Sequence, residues 1–268
     1  MAFVFDLEPY LKRVGLDAAP LTDEEGLRAL HDAQFFAIPF ENFDIQLGRG
    51  ISLLPEHLIQ KLVQRRRGGY CFELNGLMLL VLENLGFQAR PLLARVHLGP
   101  RPSGLTHQVS LVEIGGRPWL LDVGFGAGGL RCPLPVEAGY TAEGAGWAFR
   151  LVADERWGLM MQSQENGEWK DSYSFDLSQV CEADIAIGNH FTSTSSASHF
   201  VTSRVASAPH VSGRVSLRDF TLTTIEGAEK TTREVAPGTE YLAMLGSVFG
   251  IELDARYDDL ADISGQAS

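Results

Sequence analysis

The sequence predicts an α+β protein of three packed units: an N-terminal helical bundle, an antiparallel β-barrel, and a mixed α/β C-terminal part. Three observations carry that prediction. Helical spacing of apolar residues holds up to Gly86, hairpin signals take over from Phe87, and short strands with a last helix fill the final third. The units are expected over residues 1–86, 87–190 and 191–268.

A chain of 268 residues with 45% hydrophobic and 21% charged side chains can bury a substantial core. Its net charge of −12 excludes a general affinity for nucleic acid or anionic membrane, since both require a basic face. Any anionic ligand must then be held by a local pocket of backbone N–H groups and a few arginines. Three cysteines cannot all pair within one chain, which points to a reducing compartment. The start, Met1 to Asp6, has no basic stretch and no long apolar core, so it does not read as a secretion signal. Cytoplasmic localisation is expected.

In the first unit, Thr22 and Glu25 have the spacing of a capping box ahead of Leu27, Leu30 and Phe35. Pro55 suits the first turn of a helix that carries Leu58, Leu62 and Val63 on one face. A helix from Cys71 is almost wholly apolar through Leu82 and stops at Gly86, so it belongs at the centre of its bundle. In the second unit, Val109 to Ile114 and Trp119 to Val123 flank the hairpin signal Gly115-Gly116. Asn166-Gly167 marks another hairpin, between 158–164 and 168–175. Further on, 176–188 reads as helix, 192–198 as loop, 201–206, 210–217 and 220–225 as strands, and 240–249 as helix.

The string Arg67-Gly68-Gly69-Tyr70-Cys71-Phe72-Glu73 places a cysteine behind a Gly-Gly turn at a helix N-terminus. The positive end of a helix dipole favours an anion there, and thiolate is the nucleophilic form of cysteine. Such a nucleophile needs a histidine to take its proton and a third group to hold the imidazole. A hairpin turning at Gly115-Gly116 pairs residues whose numbers sum to about 231. Asp122 then lies diagonally beside His107 on one sheet face. Cys132 and Cys181 lack a glycine turn and read as packing residues. With no Cys-x-x-Cys and no His-x-x-x-His, the chain offers zinc no local ligand pair, and no metal is expected. Gly124 to Gly129 fits G-x-G-x-x-G, but Pro133 and Pro135 follow at once and leave no room for the helix of a dinucleotide site. It reads as a glycine-rich loop able to cradle an anion, or as a plain loop.

With those residues in hand, the chain resembles the arylamine N-acetyltransferases. The likeness rests on Ile38-Pro39-Phe40-Glu41-Asn42, the Arg67–Glu73 string, Thr106-His107, and Leu121-Asp122-Val123-Gly124-Phe125-Gly126. It implies a helical bundle, a β-barrel and an α/β lid, with a cysteine-protease-like Cys71-His107-Asp122 triad between the first two. It further implies ping-pong transfer from acetyl-coenzyme A, the acyl donor, to an arylamine or arylhydrazine. On this reading Phe40, Tyr70, Thr106, Phe125 and Phe200 line the acceptor cleft. Coenzyme A lies along Ser103-Gly104 and the loop holding Gly126 and Gly128, with Arg95 or Arg101 for its phosphates. Glu41 and Arg67 form a structural ion pair. No nucleic acid or membrane partner is implied, and the protein would be a monomer or homodimer.

Rival readings use the same residues. Papain-type peptidases place the histidine roughly 130–150 residues beyond the cysteine, against 36 here. A transglutaminase-like enzyme, an amide synthase fed by an acyl carrier, and a binding protein with a degenerate site stay open at this point.

Overall fold

The computed structural model describes residues 5–144, 146–165 and 167–263. Helices α1 (Leu7–Val14) and α2 (Glu24–Ala37) lead into a two-residue strand, β1 (Phe40–Glu41), and two short helices, α3 (Phe43–Gln46) and α4 (Pro55–Leu58). Pro55 occupies the first turn of α4, where its missing N–H costs nothing, and the helix continues as a π-turn over Ile59–Gln64. Arg13 of α1 ties that turn down, its guanidinium donating to the carbonyls of Leu62 at 3.0 Å and Ala37 at 2.7 Å. Helix α5 (Cys71–Leu85) buries Phe72, Leu74, Leu77, Met78, Val81 and Leu82, which makes it the axis of the bundle. It ends at Gly86, whose φ of 88° is the left-handed turn that glycine supplies without strain.

Strands β2 (Gln88–Val96), β3 (Leu105–Ile114), β4 (Arg117–Leu121), β5 (Leu134–Pro135), β6 (Thr141–Gly144), β7 (Trp147–Asp154), β8 (Gly158–Glu165) and β9 (Glu168–Phe175) form one antiparallel sheet. Their spatial order is β5-β4-β3-β2-β9-β8-β7-β6. The two edge strands are consecutive in the chain, so the sheet curls into a nearly closed barrel around Leu92, Val109, Leu120, Phe149, Leu151 and Met161. Ser110 pairs with Leu121 and Val112 with Trp119, the register expected from the Gly115-Gly116 turn.

Helices α6 (Glu182–Thr194) and α7 (His199–Thr202) precede strands β10 (Val205–His210), β11 (Gly213–Arg218), β12 (Thr221–Glu226) and β13 (Glu229–Glu234). Helix α8 (Thr239–Met244) follows and continues as a π-turn over Leu245–Phe249. The C-terminal sheet has the order β1-β10-β11-β12-β13, so the N-terminal strand completes it. Across that join Phe40 pairs with Ser207 and Glu41 with Ala206.

Several element boundaries differ from the sequence reading. The cap of α2 is Asp23, not Thr22; its carboxylate accepts the Gly26 N–H at 2.8 Å, and an anion is the stronger acceptor at a positive helix end. Helix α6 begins at Glu182 rather than near Asp176, because Asp176 turns back to accept the Ser178 N–H and the Asp184 carboxylate caps Cys181. It runs through Thr194, so position 190 lies inside a helix and Thr192–Thr194 are not loop. Residues 201–202 belong to α7, and the strand there starts at Val205. Strand β13, Glu-Lys-Thr-Thr-Arg-Glu, has no apolar residue and went unread; both its faces are exposed. Strands β8 and β9 fall where expected, while Asn166 of their turn lies outside the described residues.

Candidate active site

Cys71 is the first residue of α5 and is buried. The chain reaches it through two glycines that the packing demands. A Cβ on Gly68 would lie 2.3 Å from the Pro39 carbonyl oxygen, and one on Gly69 2.9 Å from the Glu73 Cβ. The first bonds of the helix run from the N–H groups of Glu73 and Leu74 to the Tyr70 carbonyl. The N–H groups of Cys71 and Phe72 therefore sit ahead of the intrahelical ladder, in the positive end of the dipole. The Cys71 thiol points at the Thr106 carbonyl oxygen, 3.8 Å away.

Behind Cys71, Arg67 meets Glu41 at 2.7 Å and Asp44 at 3.3 Å. Lys61 bridges Asp44 at 2.8 Å and Glu73 at 2.7 Å. Burial works against the Lys61 ammonium, but the three carboxylates of Glu73, Glu41 and Asp44 outweigh it and hold the lysine charged. Glu73 also accepts the Tyr70 N–H at 3.1 Å. The network thus stitches β1, α3, the π-turn and α5 together under Cys71. The expected Glu41–Arg67 pair is its centre.

His107 lies on β3, and Asp122 follows the end of β4; both are fully enclosed. His107 Nε2 meets Asp122 Oδ2 at 2.8 Å, and the Cys71 sulfur is near enough to act on the ring. With Nε2 committed to the carboxylate, Nδ1 is the nitrogen left for sulfur. Burial alone would lower the pKa of His107; the Asp122 carboxylate and the Cys71 contact reverse that and raise it to about 10. Burial likewise pushes Asp122 up, but His107, Asn75 and the Gly124 N–H hold its carboxyl below the usual range. The hairpin register thus brings His107 and Asp122 together, with Cys71 at the start of α5 nearby.

Aromatic rings close around this pair. Phe125 and Tyr173 each pack 5.1 Å from the His107 ring. Phe200 lies 5.6 Å from Phe40 and 5.8 Å from Tyr70, so three of the expected acceptor residues form a second cluster. The Tyr70 hydroxyl donates to the Asn189 side-chain oxygen of α6. Thr106 and Gly104 line a cleft of about 480 Å³ with Leu93, Leu105, Ile187 and Phe191. Ser103 Oγ accepts the Val96 N–H at 2.9 Å and bonds Thr106 Oγ1 at 3.1 Å, which orders that loop. Gly126 and Gly128 belong to one 3₁₀ turn rather than a long helix, as Pro133 and Pro135 require. Gly126 packs against Phe40 and Ser207. Arg95 lies over the Trp157 ring at 5.5 Å and donates to the Ser103 carbonyl at 3.3 Å. Arg101 is exposed. Among the described residues, no three His, Cys, Asp or Glu side chains gather into a metal site, and no helix is long and apolar enough to cross a membrane.

Sequence reasoning passed over Asn75, Tyr173 and His31. Asn75 bonds Asp122 directly, Tyr173 walls the imidazole, and His31 Nε2 lies 3.2 Å from the Asp122 backbone carbonyl. An isolated amide in an apolar helix was the available signal for Asn75. The other two become visible only once the barrel closes on α2 and α5.

A helix-borne thiol close to a buried imidazole–carboxylate pair is an arrangement that enzymes using a cysteine nucleophile also present. The N-acetyltransferase family model matches residues 23–257, and the chain belongs to that family. It is 35% identical over 271 residues to the arylamine N-acetyltransferase of Mycolicibacterium smegmatis, covering 97% of this chain and 94% of that one. The solved structure of the M. smegmatis enzyme superposes with a TM-score of 0.89 at 34% identity, covering 94% of this chain and 96% of that one. That of Mycobacterium marinum arylamine N-acetyltransferase in complex with CoA superposes with a TM-score of 0.85 at 35% identity, covering 92% and 93%.

Proposed function

We propose that the protein transfers the acetyl group of acetyl-coenzyme A to arylamines and arylhydrazines by a ping-pong route through an acetyl-Cys71 intermediate. The observation that carries this reading is the 2.8 Å imidazole–carboxylate bond of His107 and Asp122 beside Cys71, the first residue of α5. The names of the similar proteins, and the CoA in the similar M. marinum structure, support the choice of donor and acceptor.

His107 takes the thiol proton, and the Cys71 thiolate attacks the thioester carbonyl. The N–H groups at the start of α5 stabilise the oxyanion. Collapse breaks the C–S bond to coenzyme A, whose thiolate leaves with the proton held by His107. The amine nitrogen then attacks acetyl-Cys71, His107 removes its proton, and the second tetrahedral species expels the Cys71 thiolate as the amide forms. Asp122 holds the imidazole through Nε2 throughout and stabilises its charged form. Phe40, Tyr70, Thr106, Phe125 and Phe200 would face the aromatic acceptor. Ser103, Gly104, Gly126 and Gly128 would lie along the donor. A reduced, cytoplasmic setting suits the free thiol.

The test is the intact mass of the protein after brief exposure to acetyl-coenzyme A alone, beside a Cys71→Ala control. One acetyl group is expected, absent from the control and discharged by an aromatic amine. Folded, reduced protein that gains no mass would overturn the reading.

A further inference from the structure

Asn75 sits one helical turn beyond Cys71 in a helix whose buried residues past Glu73 are otherwise apolar, and it is completely buried. A primary amide in such a place is costly unless its donors and acceptor are used. All of them are. Nδ2 donates to the Gln108 carbonyl at 2.6 Å and to Asp122 Oδ1 at 2.9 Å, while Oδ1 accepts the Val123 N–H at 3.0 Å. One side chain thus grips the strand residue after His107, the carboxylate of Asp122, and the backbone that follows it.

The fit around it is close. A Cβ on Gly124 would fall 2.6 Å from Asn75 Nδ2 and 3.0 Å from the Cys71 Cα, so the Asp122 turn lies directly on the first turns of α5. The Gly124 N–H adds a second bond to Asp122 Oδ1 at 2.9 Å. With Oδ1 held by these two donors, Oδ2 is turned to His107.

We infer that Asn75 is the positioning residue of the triad: it fixes the Asp122 carboxylate for His107 and locks the segments bearing His107 and Asp122 to the helix bearing Cys71. The chemistry of the pocket selects an amide. Aspartate there would accept from Val123 but would oppose its charge to Asp122 and to the Gln108 carbonyl. The inference rests on the acyl-transfer reading for its consequence in turnover, but not for its effect on Cys71.

The experiment therefore reads the thiol directly. Rates of Cys71 alkylation by iodoacetamide, located by peptide mass, are measured against pH for wild type, Asn75→Asp and Asn75→Ala. Thermal melting and near-UV dichroism verify the fold of each. The titratable groups facing the site are His107 and Tyr173 from the barrel, Asp122 after β4, His31 from α2, Tyr70 ahead of α5 and Cys71 itself. Asn75→Asp should react at least about 30-fold more slowly than wild type near pH 8, because two carboxylates repel. The gap should close to within about 3-fold near pH 5.5, where one shared proton restores a donor to Asp122. Asn75→Ala should be slow at every pH, with no recovery. If it does not fold, Asn75→Asp, kept near pH 5.5 and read immediately after a jump to pH 8, decides alone. Folded variants that alkylate with the rate and pH profile of wild type would overturn the inference, and so would an Asn75→Asp defect that does not depend on pH. With acetyl-coenzyme A and an arylamine, kcat should fall while the KM values hold. A wild type that accepts no acetyl group would sink the proposed function, yet the alkylation rates would still judge Asn75.

Discussion

At the residue scale, the proposed chemistry turns on a proton passing between sulfur and a nitrogen that a buried carboxylate keeps basic. Replacing Cys71 by serine should abolish transfer, reducing single-turnover acylation by about 10³-fold or more, because an alkoxide is far harder to form than a thiolate. Rapid mixing with acetyl-coenzyme A reads this, and a serine variant with normal turnover would remove Cys71 from the mechanism. The His107–Asp122 pair also makes stability depend on pH. His107 has a folded pKa of about 10 against 6.5 when unfolded, so the folded state binds more protons between those values. The stabilisation from His107 is complete below pH 6.5 and is lost as pH rises through about 10. Asp122, held low, contributes in the other direction, with its share lost as the solution is acidified. The melting-temperature gap between wild type and His107→Gln should therefore be largest near pH 6 and shrink by pH 10; a constant gap would contradict the assignment. These three residues were legible in the sequence because a glycine turn, a helix start and a hairpin register each have local signatures. Asn75 was not, since its three partners come from 33 to 48 positions away.

At the scale of elements, α5 and β1 are joined by charges that have little access to water. Glu41 is fully buried and Arg67 nearly so. Removing one member of such a pair strands the other, at a cost of about 3–5 kcal/mol. Glu41→Ala should show that loss in a urea melt. Arg117→Ala, whose exposed partner Glu137 lies 3.4 Å away, should cost less than about 1 kcal/mol. Equal losses would mean that burial does not set the strength of these pairs. The elements that could be read in advance, α5, the β3–β4 hairpin and the β8–β9 strands, have apolar periodicity bounded by glycine. Those misplaced lacked it. The start of α6 was set by a side-chain cap, and β13 is an edge strand whose residues all face water. Pattern reading fails at such places because the deciding force is a hydrogen bond rather than burial.

At the scale of the whole molecule, the C-terminal sheet is attached by a strand that belongs to the N-terminal unit, a join that the order of elements along the chain does not reveal. Asn42 is its rivet. Its Nδ2 donates to the carbonyls of Phe200 at 2.6 Å and Ser203 at 2.7 Å, and its Oδ1 accepts the Val205 N–H at 2.8 Å. Gln46 reinforces it, donating to the same Phe200 carbonyl at 2.9 Å. Because Phe200 packs on Phe40 and Tyr70, this attachment also holds the aromatic cluster that includes Tyr70, the residue before Cys71. Asn42→Ala leaves the part-buried Val205 N–H without its acceptor, at about 1–3 kcal/mol, while the Phe200 and Ser203 carbonyls keep only Gln46 Nε2. The loss should be local. Hydrogen exchange in α7 and β10 should accelerate first, while the barrel strands β2, β3 and β9, paired only with one another and with other barrel strands, keep their protection. Acylation of Cys71 by acetyl-coenzyme A should persist, since Asn42 touches none of the triad, while the KM for a bulky arylamine rises as Phe200 loses its anchor. Uniform acceleration of exchange across barrel and C-terminal sheet would show instead that the units open together, and that the join is part of one cooperative core.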